Sequence, residues 1–426
     1  MPDGSLHAAA AVADITPLSP IPLGASRDPR RPFLKIDTPL EANVFIARCG
    51  DKEVTFVSVD LLFPGEHLRR NLLASIPWLG GQRLVLGATH THFAPMVQKG
   101  MPNLGTVDPD YLNLVSGRIA ELILRLRQEL RPATIRYREG MADHSMNRRL
   151  MRWRVNKRGR LERSEGFAPN PAGPRDESMR MVEILIGGST KGLIWNYACH
   201  PTAYPNQFHV SAEFPGVVRS RLRGELGQIP ILYFQGFSGD VRPRLLGRLK
   251  TPQEFILRVL QGPLFGKPSL AEWEAWACSL ADAVVNMYRA EGATSSVEGI
   301  QCATVAFPVA DVAPGHNPND QFEVQFVELI NGFRFVGWNA EIVHGYRKMI
   351  ARTLGEERLL TAGCLDQTLA YIPSEEMLPG RGYEVEGFHH NFSFSGQYTK
   401  GMKRRIEQAI QELAGKLNAS GKSGYV

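Results

Sequence analysis

Short apolar runs rich in β-branched and aromatic residues recur along the chain, with amphipathic stretches between them. This alternation constrains the fold more than any other feature. The strand-like runs are "ANVFIARCG", "KEVTFVSVD", "QRLVLGATH", "ATIRYREG", "RMVEILIGG", "GLIWNYACH", "IPILYFQGFSGD" and "ATVAFPVA". Residues 108–130, "DPDYLNLVSGRIAELILRLRQEL", place apolar side chains three and four apart and end before a proline, which predicts a helix. The same spacing predicts helices over 270–290 and 399–417. Strands mixed with helices, joined partly by hairpins and partly by crossovers, predict an α/β (α+β) fold of mixed sheets flanked by helices. With 426 residues, 43% of them hydrophobic, the chain can bury a large core. No internal repeat divides it, so 1–417 reads as one catalytic-type domain and "NASGKSGYV" (418–426) as a flexible tail. The Gly-, Pro- and charge-rich segment 159–178 reads as an active-site loop or a linker.

The net charge is +6, and the excess sits in 146–163 and 241–250. These basic stretches lack the regularly spaced aromatics of a nucleic-acid track. They read as a solvated loop plus a few arginines facing an anionic group, so no nucleic-acid partner is expected. The five cysteines are scattered and never form CxxC, against a disulfide framework or a thiolate zinc knuckle. No secretory leader and no apolar run of membrane-spanning length is read from the sequence, so the expected location is cytoplasmic. The expected partner is a small molecule; a homo-oligomer is left open.

Reactive side chains gather where the apolar runs end. Asp60 closes "VTFVSVD", His90 and His92 close "RLVLGATHTH", His200 closes "GLIWNYACH" and Asp240 closes "ILYFQGFSGD". Ligands of α/β sheets bind at the carboxyl ends of strands, and core packing alone gives no reason for this clustering. In an extended strand His90 and His92 would point the same way. Zinc takes about four ligands from imidazole, carboxylate and water, which makes His90 and His200 two candidates and Glu341, at a predicted helix start, a third. His344 competes with Glu341. The same donor set also suits non-haem iron.

The segments "VADITP", "HTHFAP", "NRR", "NYACHPTA", "FQGFSGDVRPR", "NAEIVHGYR" and "LAYIPSEEMLPGRGYE" appear in the order in which similar motifs occur in the neutral (non-lysosomal) ceramidases. The chain resembles the catalytic domain of that family from Val12 to about Glu384. The resemblance implies a Zn2+-dependent amidase with His90, His200, Glu341 and Tyr371 as metal ligands. It also implies His92 and Arg148 at the substrate carbonyl and Asp240 as the proton-transfer group, with Arg149 and Tyr383 as alternatives to Arg148 and Tyr371. Asp60 is expected to bind substrate or to orient a histidine. The family's "GDVSPN" reads "GDVRPR" here, so Arg242 replaces a serine. A fixed cation there forks onto a carboxylate or phosphate, which predicts an anionic N-acyl substrate rather than ceramide. The family's C-terminal immunoglobulin-like domain and its export signal have no counterpart in this sequence. A zinc esterase or lactonase, an iron oxygenase and a non-catalytic ligand-binding relative remain alternatives.

Overall fold

A computed structural model describes residues 5–155, 159–249 and 251–422. The centre is a nine-stranded mixed sheet, in spatial order Ile231–Gln235, Ser189–Tyr197, Ser178–Ile186, Arg131–Met141, Leu6–Asp14, Glu41–Cys49, Lys52–Val59 and Leu84–Ala88, with Ala293–Ser295 added on Arg131–Met141. Glu41–Cys49 and Lys52–Val59 are buried on both faces, which is why they read as continuous apolar runs. Gly50, at φ +61°, makes the tight turn between them.

Two faces of this sheet are covered differently. Val44, Ile46, Val57 and Leu86 pack against helices Gly65–Ser75 and Pro109–Leu126. Phe45, Phe56, Val85 and Phe234 face a four-stranded sheet, Ile300–Pro308, Gln321–Leu329, Phe333–Trp338 and Leu359–Ala362. Phe56 meets Phe333 and Phe335 there at 5.8 and 5.7 Å between ring centroids. Each such ring contributes roughly 2–3 kcal/mol by leaving water. Helices Glu213–Leu226 and Leu270–Arg289 cover Trp195 and Tyr233, and Met402–Lys422 covers the outer face of the smaller sheet. Ser269 and Glu272 close a capping box at the start of Leu270–Arg289.

The large sheet curls so that its two edge strands approach one another. Ser58 Oγ donates to Tyr233 O at 2.6 Å, across the curl. Residues 363–366 then stitch both edges: Gly363 N donates to Gln235 O, Ala88 N to Cys364 O and Asp366 N to Leu86 O. The strand ends carrying His90 and Asp240 are brought to one place by this closure.

Two expectations change. The basic stretch at 146–163 is not a solvated loop, and 159–178 is not a linker. Ser145–Val155 and Leu161–Asn170 form a hairpin, with Val241–Pro243 as a third strand. Leu161–Asn170 escapes notice because its first half is exposed and charged instead of facing a core, leaving no apolar alternation. The last helix also runs through 418–422, and 423–426 lie outside the described residues. No helix among the described residues is long and apolar enough to cross a membrane.

Candidate metal centre

Strand Leu84–Ala88 ends two residues before His90, which takes a left-handed conformation at φ +64°. His90 and His92 therefore do not share a strand face, as the sequence spacing suggests. The positive φ turns the backbone so that both rings still reach one centre, with Nε2 atoms 3.4 Å apart. Such strain in a non-glycine residue costs on the order of 1–3 kcal/mol and persists where surroundings over-determine it. His200 follows Ser189–Tyr197, and its Nε2 lies 2.9 Å from that of His90.

The tautomers follow from what the other ring nitrogens meet. His90 Nδ1 lies 2.9 Å from Leu62 O and His200 Nδ1 lies 3.2 Å from Ser238 O. Each Nδ1–H donates to a carbonyl, which leaves two Nε2 lone pairs facing each other. Burial, joined for His200 by the charge of Arg148, holds the pKa of His200 well below the usual histidine range. Burial acts the same way on His92, with His90, Arg148 and Arg242 adding to it. His92 and His200 are thus held toward the neutral form, the one that binds metal.

Glu341 and Tyr371 enter through a two-residue parallel bridge, Glu341–Ile342 with Tyr371–Ile372, in which they are register partners. Glu341 thus sits on a short strand rather than at a helix start, since the next helix is Tyr346–Leu354. Its Oε2 is 3.4 Å from Nε2 of both His90 and His200, is buried, and has no hydrogen-bond partner. Two facing lone pairs beside an orphaned carboxylate oxygen repel one another unless a cation lies among them. This donor set fits a divalent metal of the zinc class. His90, His92 and His200 also place ligand atoms within 4.8 Å of one another. Burial, joined by the charge of the neighbouring Glu341 carboxylate, pushes the pKa of the Tyr371 hydroxyl well up.

Around these donors stands a ring of charges. Arg148 is buried: Nε donates to Glu384 Oε1 at 2.9 Å, and Nη2 donates to Gly239 O at 2.6 Å and to Tyr371 Oη at 3.3 Å. Of the two arginines in "NRR" it is Arg148 that reaches the centre, because Arg149 turns to Glu384 and Glu165. It is the Tyr371 hydroxyl that accepts from Arg148, whereas that of Tyr383 accepts from Asn391 Nδ2, although Arg148 Cζ is 5.7 Å from the centres of both rings; the Tyr383 ring packs on that of Tyr371 at 5.4 Å. Glu384 carries no signal in the sequence beyond following "GRGY", yet it pairs with both arginines, one oxygen to each.

Asp240 is fully buried and accepts from His344 N at 3.0 Å, from Asn147 Nδ2 at 3.1 Å, and on Oδ2 from His344 Nδ1 at 2.7 Å. Burial opposes its charge, but His344 outweighs burial and holds the carboxyl below its usual range. Likewise Asp240 holds the His344 pKa up against burial. His344 is thus tied to Asp240 instead of competing with Glu341. Asp60 is also buried; its Oδ2 takes Arg219 Nη2 at 2.8 Å and Glu41 N at 2.9 Å. Arg242 lies with its Cζ 4.1 Å from the centre of the Phe265 ring and 5.6 Å from that of Phe167.

No protein-family model matches the sequence, and comparison with curated proteins finds no match. Among solved structures, the neutral ceramidase of Pseudomonas aeruginosa is 14% identical, with a TM-score of 0.74 over 98% of this chain and 75% of that one. A ceramidase complexed with C2 is also 14% identical, with a TM-score of 0.73 over 98% of this chain and 76% of that one. This chain thus has the neutral ceramidase fold.

Proposed function

We propose that the chain is a cytoplasmic zinc-dependent hydrolase that cleaves the amide bond of a small N-acyl substrate, with 1–417 as one catalytic domain. The observation that carries this reading is the convergence of the His90 and His200 lone pairs on the orphaned Glu341 oxygen. His90, His200, Glu341 and Tyr371 would hold the ion. Bound zinc supplies a Lewis acid and lowers the pKa of its water to about 7.

The chain's own groups do the rest. His92 and Tyr371 stand where a carbonyl oxygen gains charge, and loss of one such donor costs about a hundred- to a thousandfold in rate. Arg148 fixes the Tyr371 hydroxyl while Glu384 holds Arg148. Asp240 moves the proton to the leaving nitrogen through His344, the imidazole on its carboxylate. Asp60 braces the histidine-bearing end of the sheet through Arg219 and Glu41. An ester substrate would use the same groups.

The test is metal analysis of wild type, His90→Ala and His200→Ala, with a mass-spectrometric screen of N-acyl amines, N-acyl amino acids and esters. We expect near-stoichiometric metal and amide hydrolysis in wild type, and loss of both in the variants. Full metal occupancy in both variants would overturn the assignment.

A further inference from the structure

Arg242 is set apart from the other cations at the centre. Among the described residues it makes no salt bridge, and its Nε is buried without a hydrogen-bond partner. Arg148, whose positive charge bears on it, is paired with Glu384 and gives it no relief. Burial and that like charge lower the Arg242 pKa to about 10. It remains a cation at neutral pH, held where its charge is costly.

The surroundings shape what could relieve it. Residues 244–267 leave the hairpin region and return where Gly247 and Gly266 let Arg248 and Lys267 pair closely, which delivers Phe265 onto the guanidinium. Phe265 and Phe167, 5.5 Å apart between centroids, flank the cation and leave its N–H edge as the hydrogen-bonding side. A planar fork with aromatic neighbours suits a carboxylate, which takes two parallel N–H bonds. Phe167 is 42% exposed, so the cation is reached from solvent on that side. Helix Pro252–Gln261 in the same excursion presents Phe255, Ile256, Val259 and Leu260 outward, an apolar approach suited to an acyl chain.

Position on the chain says which half of the substrate carries the charge. Asp240 closes the turn directly before strand Val241–Pro243, and Arg242 follows it by two residues within that strand. Asp240 with His344 serves the leaving nitrogen in the reading above, on which this inference rests. A carboxylate on Arg242 therefore belongs to the amine half, close to the nitrogen.

We infer that the substrates are N-acyl α-amino acids with an apolar acyl chain, and that Arg242 with Phe167 and Phe265 is their carboxylate subsite. The reaction is hydrolysis: the water oxygen bonds to the acyl carbon as the C–N bond breaks. A water proton passes to the nitrogen, and the products are a fatty acid and a free amino acid.

A matched pair of probes tests this: N-lauroylglycine and N-lauroylethanolamine, which differ in carboxylate against hydroxymethyl beside the same amide. Wild type should favour the glycine conjugate in kcat/KM by about 10–100-fold, the range of a charge-assisted hydrogen-bond pair. In Arg242→Ser, and in the bulkier Arg242→Gln should the first fold poorly, that ratio should collapse toward unity, through KM. Equal use of the two probes by wild type, or a ratio unchanged in both variants, would overturn the subsite. Calorimetric binding to metal-loaded protein separates this from failure of the amidase reading. Binding of N-lauroylglycine that is lost in the variants upholds the subsite even without hydrolysis, whereas binding unaffected by them removes it.

Discussion

Arg148 and Arg242 sit on paired strands, yet the protein treats them in opposite ways. Arg148 has its charge met by Glu384, and its hydrogens go to Gly239 O and Tyr371 Oη. Arg242, two residues beyond Asp240 and opposite Met146 in the register, has aromatic rings where Arg148 has a carboxylate. A buried cation with a carboxylate is a finished structural unit. A partly buried one with ring faces and no carboxylate is stable enough to persist and is completed when an anion arrives. The difference separates a residue that positions the centre from one that selects what enters it.

The sharpest way to break the contrast is to remove the carboxylate that distinguishes its two sides. Glu384→Gln leaves Arg148 buried without its counter-charge and Arg149 with Glu165 alone, and should cost about 3–5 kcal/mol in urea unfolding. A loss under about 1 kcal/mol would mean that Arg148 is no better compensated than Arg242.

Glu213 is the anionic counterpart of Arg242. Its carboxylate is fully buried and held by neutral donors, the amides of Ala203, Tyr204 and Phe214 and the indole of Trp273. Burial raises its pKa from 4.5 to about 7 against those hydrogen bonds. The folded state therefore holds the proton more tightly than the unfolded chain. The stability this gives is complete below about pH 4.5 and is lost as pH rises to about 7. Relative to Glu213→Gln, wild type should lose on the order of 3 kcal/mol between pH 4.5 and 8. Parallel stability curves for the two proteins would show that burial does not penalise this charge.

The smallest effect sharpens the Arg242 side alone. Phe265→Ala removes the closer ring and should reduce discrimination between N-lauroylglycine and N-lauroylethanolamine about three- to tenfold, a cation–π contribution of about 1 kcal/mol. A collapse as deep as that of Arg242→Ser would mean that the ring, not the charge, does the selecting.

What the sequence displays and what it hides divide along physical lines. Buried strands such as Lys52–Val59 and amphipathic helices such as Leu270–Arg289 are written in local periodicity, and both are where the spacing predicts. The clustering of His90, His200 and Asp240 at strand ends is visible because polar residues interrupt apolar runs there. The left-handed turn at His90 is not visible, since its cause lies in contacts with remote segments. Nor is the register that sets Glu341 against Tyr371, which depends on two short strands with little composition of their own. Glu384 and Phe265 are ordinary residues in their local context and acquire meaning only from the arginines they meet.

The bridge between Glu341 and Tyr371 also bears on the order in which the molecule comes together. The proposed ligands lie at 90, 200, 341 and 371, and this two-residue pairing has too few hydrogen bonds to form by itself. It lies beside the closure of the large sheet by residues 363–366, which joins segments far apart in the chain. Loop-closure entropy makes such contacts late and slow. The centre thus takes its shape only from contacts between segments far apart in the chain, and an ion held there would tie those segments together.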